Sequence, residues 1–308
     1  MGSSKFAILG EDGSGKTCYL LGMYYAMSMD TANYMVVATD PVTDRFLLRR
    51  CQMLKDKSRK GNRFPPGTDC VEKFNFNLWH NDETIHSFEW MDYPGGWLDV
   101  RERRNLSGSD DYNSFKDFIM NSEMVFICID GANLTGSSTS QKIRKVKTRC
   151  ARQINPYLTE LRNKLKKEKQ GLPPIGMLVT KYDMCIDDTD ADEIREIVEE
   201  AFEGLFGGND TFVAIIPVSL GDTLEDDDWQ GELDPINVHL PILMGINFAL
   251  RKQVKKLSEE HIKDINRMNR ELEAVEMIFY KGAWQDKHAI RRMWADLQRS
   301  ADYKSWRY

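Results

Sequence analysis

The stretch Gly10-Glu11-Asp12-Gly13-Ser14-Gly15-Lys16-Thr17 limits what this chain can fold into more than any other. It fits G-x-x-x-x-G-K-[ST], a pattern whose backbone N–H groups cradle phosphate oxygens. Lys5 to Leu9 before it is a short apolar run that reads as a buried strand, and Thr17 to Met29 after it reads as a helix. Strand, glycine-rich turn and helix together are the context the pattern requires. The glycines let successive N–H groups converge, and the helix N-terminus adds positive potential. Gly10 to Cys18 are therefore candidate phosphate ligands. Lys16 is expected to reach the β- and γ-phosphates, and the Thr17 hydroxyl to hold Mg²⁺.

The 308 residues suffice for one large domain or a domain with an extension. A net charge of −6 argues against a general nucleic-acid binder. Six cysteines (Cys18, Cys51, Cys70, Cys128, Cys150, Cys185) form no C-x-x-C pair and show no metal-ligand spacing, which points to a reducing cytosol. No apolar run reaches membrane-spanning length and no signal peptide precedes the first strand, so a cytoplasmic protein without a membrane span is expected.

Further along, Tyr34 to Ala38 is a strand candidate, and Pro41 to about Asp56 carries a helical apolar face. Residues 57–69 are polar and basic, are broken by Gly61, Pro65, Pro66 and Gly67, and read as a loop. Val71 to Trp79 alternates as a half-buried strand should, with Thr84 to Met91 as its hairpin partner. Residues 98–111 read as mobile. Apolar runs predict strands over 123–130, 174–180 and 212–218, and helical periodicity covers 112–120, 140–167 and 190–206, with Pro156 marking a kink. From about Pro241 the pattern is helical, slips in register near His261, and ends in a last helix over 286–298. The alternation predicts an α/β fold, a mostly parallel sheet with helices on both faces, followed by a helical extension. The division expected is 1–232, with a strand–helix insert at about 34–56, and 233–308.

Three more signals fall at strand ends. Asp92-x-x-Gly95 places a carboxylate where it can hold Mg²⁺, usually through water, and a glycine amide where it can meet a γ-phosphate. Thr180-Lys181-Tyr182-Asp183 ends the third apolar strand. Asp183 can accept two hydrogen bonds, from guanine N1–H and the 2-amino group, and adenine offers no such pair. The Lys181 stem can lie along a purine ring. Val218-Ser219-Leu220 follows at the next strand end, where backbone N–H groups can meet guanine O6; alone it says little.

GEDGSGKT, DYPG, TKYD and VSL together resemble the Ras-like, translation-factor-related class of P-loop GTPases, over about residues 5 to 222. The FPPGT loop and DYPGGWL look like the bacterial double-GTPase proteins proposed to act in defence or conflict systems. The resemblance implies a GTP-hydrolysing molecular switch that binds GTP or GDP with Mg²⁺. It implies Thr68 as the loop threonine that senses Mg²⁺ and the γ-phosphate, giving Thr17, Thr68 and Asp92 as the metal set. Lys16, Thr68, Gly95 and Arg63 are then the catalytic candidates. Loops 57–69 and 96–111 would be the two switches. They and the C-terminal helices would meet a protein effector or activating partner, or another subunit in a homo- or hetero-oligomer.

The pattern also departs from that class. The position after Gly95, where a water-orienting Gln is normal, is Gly96, followed by Trp97; slow intrinsic turnover is expected. Asp12 adds a carboxylate near the γ-phosphate, and Gly13 stands where some members use an Asn to hold K⁺. Arg63 is a candidate arginine finger in cis, though a solvated loop arginine is the simpler expectation. Asp188, Asp190, Asp192 and Glu199 mimic a calcium loop, but Glu193 replaces the turn glycine and a helix N-cap is favoured. An alternative function is a nucleotide-dependent scaffold with negligible hydrolysis, working through the C-terminal helices.

Overall fold

Short runs rich in β-branched and aromatic residues assemble into one seven-stranded sheet, ordered β2-β3-β4-β1-β5-β6-β7. The strands are β1 (Ser4–Leu9), β2 (Met35–Ala38), β3 (Glu72–His80), β4 (Glu83–Asp92), β5 (Met124–Asp130), β6 (Ile175–Thr180) and β7 (Val213–Pro217). The computed structural model describes residues 3–28, 34–80, 83–99, 102, 105–106, 108–206, 211–221, 224 and 230–253. The C-terminal pattern expected beyond residue 253, and residues 100, 101, 103, 104 and 107 of the expected mobile segment 98–111, lie outside the described residues.

β4, β1, β5, β6 and β7 run parallel. The hairpin strand β3 pairs antiparallel with β4, and β2 pairs antiparallel with β3. β2 is thus an edge strand, followed by α2 (Pro41–Lys55). Asp40 caps α2 by accepting the Val42 and Thr43 N–H groups, and Pro41 fills the first helical position, where no N–H is needed.

Helices cover both faces of the sheet. On β1, Lys5 reaches the Phe118 ring of α3 (Asp110–Met120), with Nζ 5.8 Å from the centroid. The next residue, Phe6, sits under Gly245 of α8 (Leu240–Gln253), where an added Cβ would lie 3.1 Å from its ring. Successive strand residues point to opposite faces, so α3 and α8 lie on opposite sides. Phe6 stacks on Phe88 at 5.2 Å, and Trp90 stacks on Phe126 at 5.8 Å. Burying each such ring stabilises the fold by roughly 2–3 kcal/mol. Tyr19 of α1 (Lys16–Met27) lies on Trp90, so the helix that follows the phosphate loop is fixed to the sheet centre.

Pro156 lies inside a continuous α-helix, which does not break at its position. α4 (Thr139–Val146) passes through a π-helical turn at Lys147–Ala151 into α5 (Arg152–Lys167). Pro156 cannot donate to the carbonyl four residues back, and the irregular turn ends just before that residue. The expected helix from 190 divides at Phe202 into α6 (Ala191–Ala201) and α7 (Glu203–Phe206). Asp190 caps α6 through the Glu193 N–H, the helix-cap role favoured over a calcium loop.

Candidate functional site

The phosphate loop needs left-handed backbone at Gly13 (φ 73°) and Gly15 (φ 82°), a region open to glycine without cost. Gly15 is the N-cap of α1 and brings no side chain, so the first-turn N–H groups of α1 carry no side-chain cap. Lys16 is 7% exposed, and its Nζ donates to the carbonyls of Gly10 and Glu11 at 2.9 Å each. Burial lowers the Lys16 pKa, while Asp92, Asp12 and Glu11 pull it back up. Ser14 is fully buried; its carbonyl accepts the Thr180 hydroxyl at 2.7 Å, which ties the loop to the end of β6. The Glu11 side chain turns aside to Asn133.

Three oxygens from distant parts of the chain converge beside the loop. Thr17 Oγ1 donates to Asp92 Oδ2 at 2.8 Å, and Thr68 Oγ1 donates to the same oxygen at 3.0 Å. The two threonine hydroxyls lie 3.0 Å apart. Asp92 ends β4 and is 1% exposed. Oxygens on adjacent corners of an Mg²⁺ octahedron lie about 3.0 Å apart, given Mg–O distances of about 2.1 Å. The Thr17–Thr68–Asp92 triangle has that edge length, and each hydroxyl keeps a lone pair while it donates to the carboxylate. Among the described residues no three His, Cys, Asp or Glu side chains gather as an alternative metal centre.

Gly95 lies directly against the phosphate loop. A Cβ there would sit 2.6 Å from Asp12 Cα and 3.0 Å from Lys16 Nζ. Gly96 faces open space, and Trp97 turns inward onto Tyr112 and Phe115. The Tyr157 hydroxyl holds the Trp97 carbonyl at 3.1 Å.

A pocket next to the loop is lined by Gly15 and Cys18 from the phosphate-loop set, and by Thr180, Lys181, Asp183, Ser219 and Leu220 from the two segments expected to meet a base. Phe64 completes one wall. Sequence reading passed over Phe64 as loop, although its place beside two prolines near Thr68 was a usable signal. Tyr182 N–H donates to the Val218 carbonyl at 3.3 Å and joins the segments that follow β6 and β7. The Val218–Leu220 N–H expectation needs correction: Val218 N–H bonds Val179, and Ser219 N–H bonds Ile236 in a small bridge. The Leu220 N–H alone among the three makes no hydrogen bond within the described residues.

Arg63 is corrected more sharply. It is neither solvated nor poised in a loop, being 1% exposed. It ends a 3₁₀ turn (Lys57–Arg63) inside the expected loop. Its Nε donates to the Leu54 carbonyl at 2.6 Å and its guanidinium to the Gly231 carbonyl at 3.0 Å. These bonds hold the Thr68 loop to the end of α2 and to the segment that also braces Ser219. The candidate finger is thus a buried structural tie.

A family model described as Double-GTPase 2 matches residues 6–217, well over half of the chain. The chain belongs to the Double-GTPase 2 family. The match runs from β1 to the end of β7 and takes in the phosphate loop, Thr68, Asp92, Gly95 and Asp183 of this member. Among solved structures it is similar to a variant of Era from Aquifex aeolicus bound to GDP·AlF4⁻, with 13% identity and a TM-score of 0.40. That similarity covers 81% of this chain and 57% of that one. No curated protein matches. No described helix of this Double-GTPase 2 member is long and apolar enough to cross a membrane.

Proposed function

We propose that the chain is a GTP-binding, Mg²⁺-dependent molecular switch that hydrolyses GTP slowly unless a partner assists. The observation that carries this reading is the convergence of Thr17, Thr68 and Asp92 beside the glycine-rich loop and Lys16. Thr17, Thr68 and Asp92 would hold Mg²⁺, which when bound neutralises phosphate charge. Lys16 would neutralise the β- and γ-phosphates, and the Gly95 N–H would meet the γ-phosphate. Asp183 would accept the guanine N1–H and 2-amino group, with Lys181 and Phe64 as walls and the Leu220 N–H facing O6. Slow turnover follows from Gly96, which has no side chain to orient water, and from the commitment of Arg63 to backbone carbonyls.

Thr68 belongs to the loop that would be the first switch, so loss of the γ-phosphate would free 57–69 for a partner to read, together with 96–111. We divide the chain at about residue 232, with α8 as the first, docked part of the extension and residues 254–308 as the part that would contact a partner or another subunit. All six cysteines are free thiols, which supports a reducing, cytoplasmic setting. The test is calorimetry with Mg²⁺, comparing GDP, a non-hydrolysable GTP analogue and ATP, on wild type and Asp183→Ala. Guanine preference that is lost in the variant supports the reading. Equal binding of ATP, or indifference to the substitution, rejects it.

A further inference from the structure

The turn after β5 carries contacts that none of the nucleotide motifs assigns. Asp130 ends β5, accepts the Ala132 N–H through Oδ1 at 3.0 Å, and places Oδ2 3.2 Å from Lys181 Nζ. Asn133, 2% exposed, donates to Glu11 Oε1 at 2.8 Å. Between them Gly131 sits against the backbone of the TKYD segment: a Cβ there would overlap the Lys181 carbonyl and lie 2.7 Å from that of Thr180. One short turn therefore grips the base side of the site at one end and the phosphate loop at the other.

Lys181 needs such a grip. Its backbone is left-handed, with φ 50°, and its side chain is about a third exposed at the pocket wall. A free lysine stem there would sample many rotamers and lose that freedom on each binding event. The Asp130 carboxylate is the better buried partner, with 14% of its side chain exposed, so the pair is only partly screened by water.

We propose that Asp130 is a positioning residue for purine recognition: it pins Lys181 Nζ so that the lysine stem stands as a preformed wall of the base pocket. Asn133, on the same turn, keeps that wall in register with the phosphate loop. The inference rests on the guanine-nucleotide reading above. Asp130 acts through Lys181 and touches no part of the nucleotide itself.

The test is a double-mutant cycle on GDP affinity with Asp130→Asn, Lys181→Met and the pair together. Asparagine keeps an oxygen to cap Ala132 and replaces the acceptor facing Lys181 Nζ with an uncharged amide donor; Asp130→Ser, which also caps, replaces it should the asparagine variant fail to fold. Each single substitution is expected to weaken GDP about tenfold, and the pair no more than either alone. Melting temperature without nucleotide is read in parallel, because a merely structural role would move it without producing that coupling. Unchanged GDP affinity in Asp130→Asn, or losses that multiply in the pair, overturns the inference while the nucleotide reading stands. Wild type that fails to prefer GDP over ADP overturns the nucleotide reading, and this inference falls with it.

Discussion

Gly95 and Asp12 meet backbone to backbone, close enough that a Cβ on Gly95 would lie 2.6 Å from Asp12 Cα and 2.9 Å from its nitrogen. Neither atom belongs to a flexible side chain, so any larger residue must displace the phosphate loop or the segment after β4. Gly95→Ala is expected to weaken GDP and, by a further factor of about ten, a non-hydrolysable GTP analogue, since the proposed role of the Gly95 N–H is to meet the γ-phosphate. Paired titrations check this; equal losses for the two nucleotides would remove the γ-phosphate role.

Gly96 offers the opposite case. No atom lies within 4 Å of a Cβ built there. Gly96→Gln is expected to fold with an unchanged melting temperature and to raise single-turnover GTP hydrolysis about tenfold or more, by supplying the missing water-orienting amide. A rapid-quench or phosphate-release assay reads the rate, and no increase would mean that water is positioned elsewhere.

The shared oxygen Asp92 Oδ2 makes magnesium dependence a test of the triangle. In wild type, chelating Mg²⁺ is expected to weaken nucleotide binding by about a hundredfold, and in Thr17→Ala or Asp92→Asn the ratio with and without Mg²⁺ is expected to fall towards one. Thr68→Ala is expected to reduce the ratio for the GTP analogue more than for GDP. Titrations with and without chelator measure all three.

Arg63→Met removes two donors from buried carbonyls, Leu54 O and Gly231 O. A loss of about 2–4 kcal/mol in folding stability is expected, measured by urea unfolding. Nucleotide affinity should fall with it, because Phe64 and the segment bracing Ser219 lose a common anchor. A stable variant that binds normally but no longer hydrolyses GTP would instead restore the catalytic-finger role.

Burial pushes the pKa of His86 down to about 4, and that of His239 likewise to about 4. The folded protein keeps both neutral where the unfolded chain, with an ordinary histidine pKa of about 6.5, takes up protons. Stability therefore falls as pH drops from about 6.5 through about 4, by about 3 kcal/mol at most for His86. Unfolding midpoints between about pH 7 and pH 4.5 should show this slope, and His86→Gln should reduce it by about half, leaving the His239 contribution.

Much of the fold was legible because its signals are local. The β1–loop–α1 unit, the alternating hairpin strands and the apolar runs of β5 and β6 follow from periods of two and of 3.6 along the chain. The strand and the helix between Tyr34 and Lys55 were equally readable, with the helix beginning at Pro41. The loop glycines, Thr17, Asp92 and Asp183 could be nominated because each occupies a fixed offset from a strand end, and ligands meet such sheets at the carboxyl ends of strands.

What the sequence by itself determined is thus the order of elements, the parallel α/β architecture and the short list of polar residues at strand ends. Only the tertiary structure decided which of them meet. It joined Thr68 to Thr17 and Asp92, buried Arg63 between two carbonyls, brought Phe64 to the pocket that Lys181 and Asp183 line and set Asp130 against Lys181. Each of these contacts links residues that share no local period, and each depends on how loops close over the sheet. Local periodicity records which face of an element is buried, whereas a loop side chain's partner is chosen by packing between segments distant in sequence.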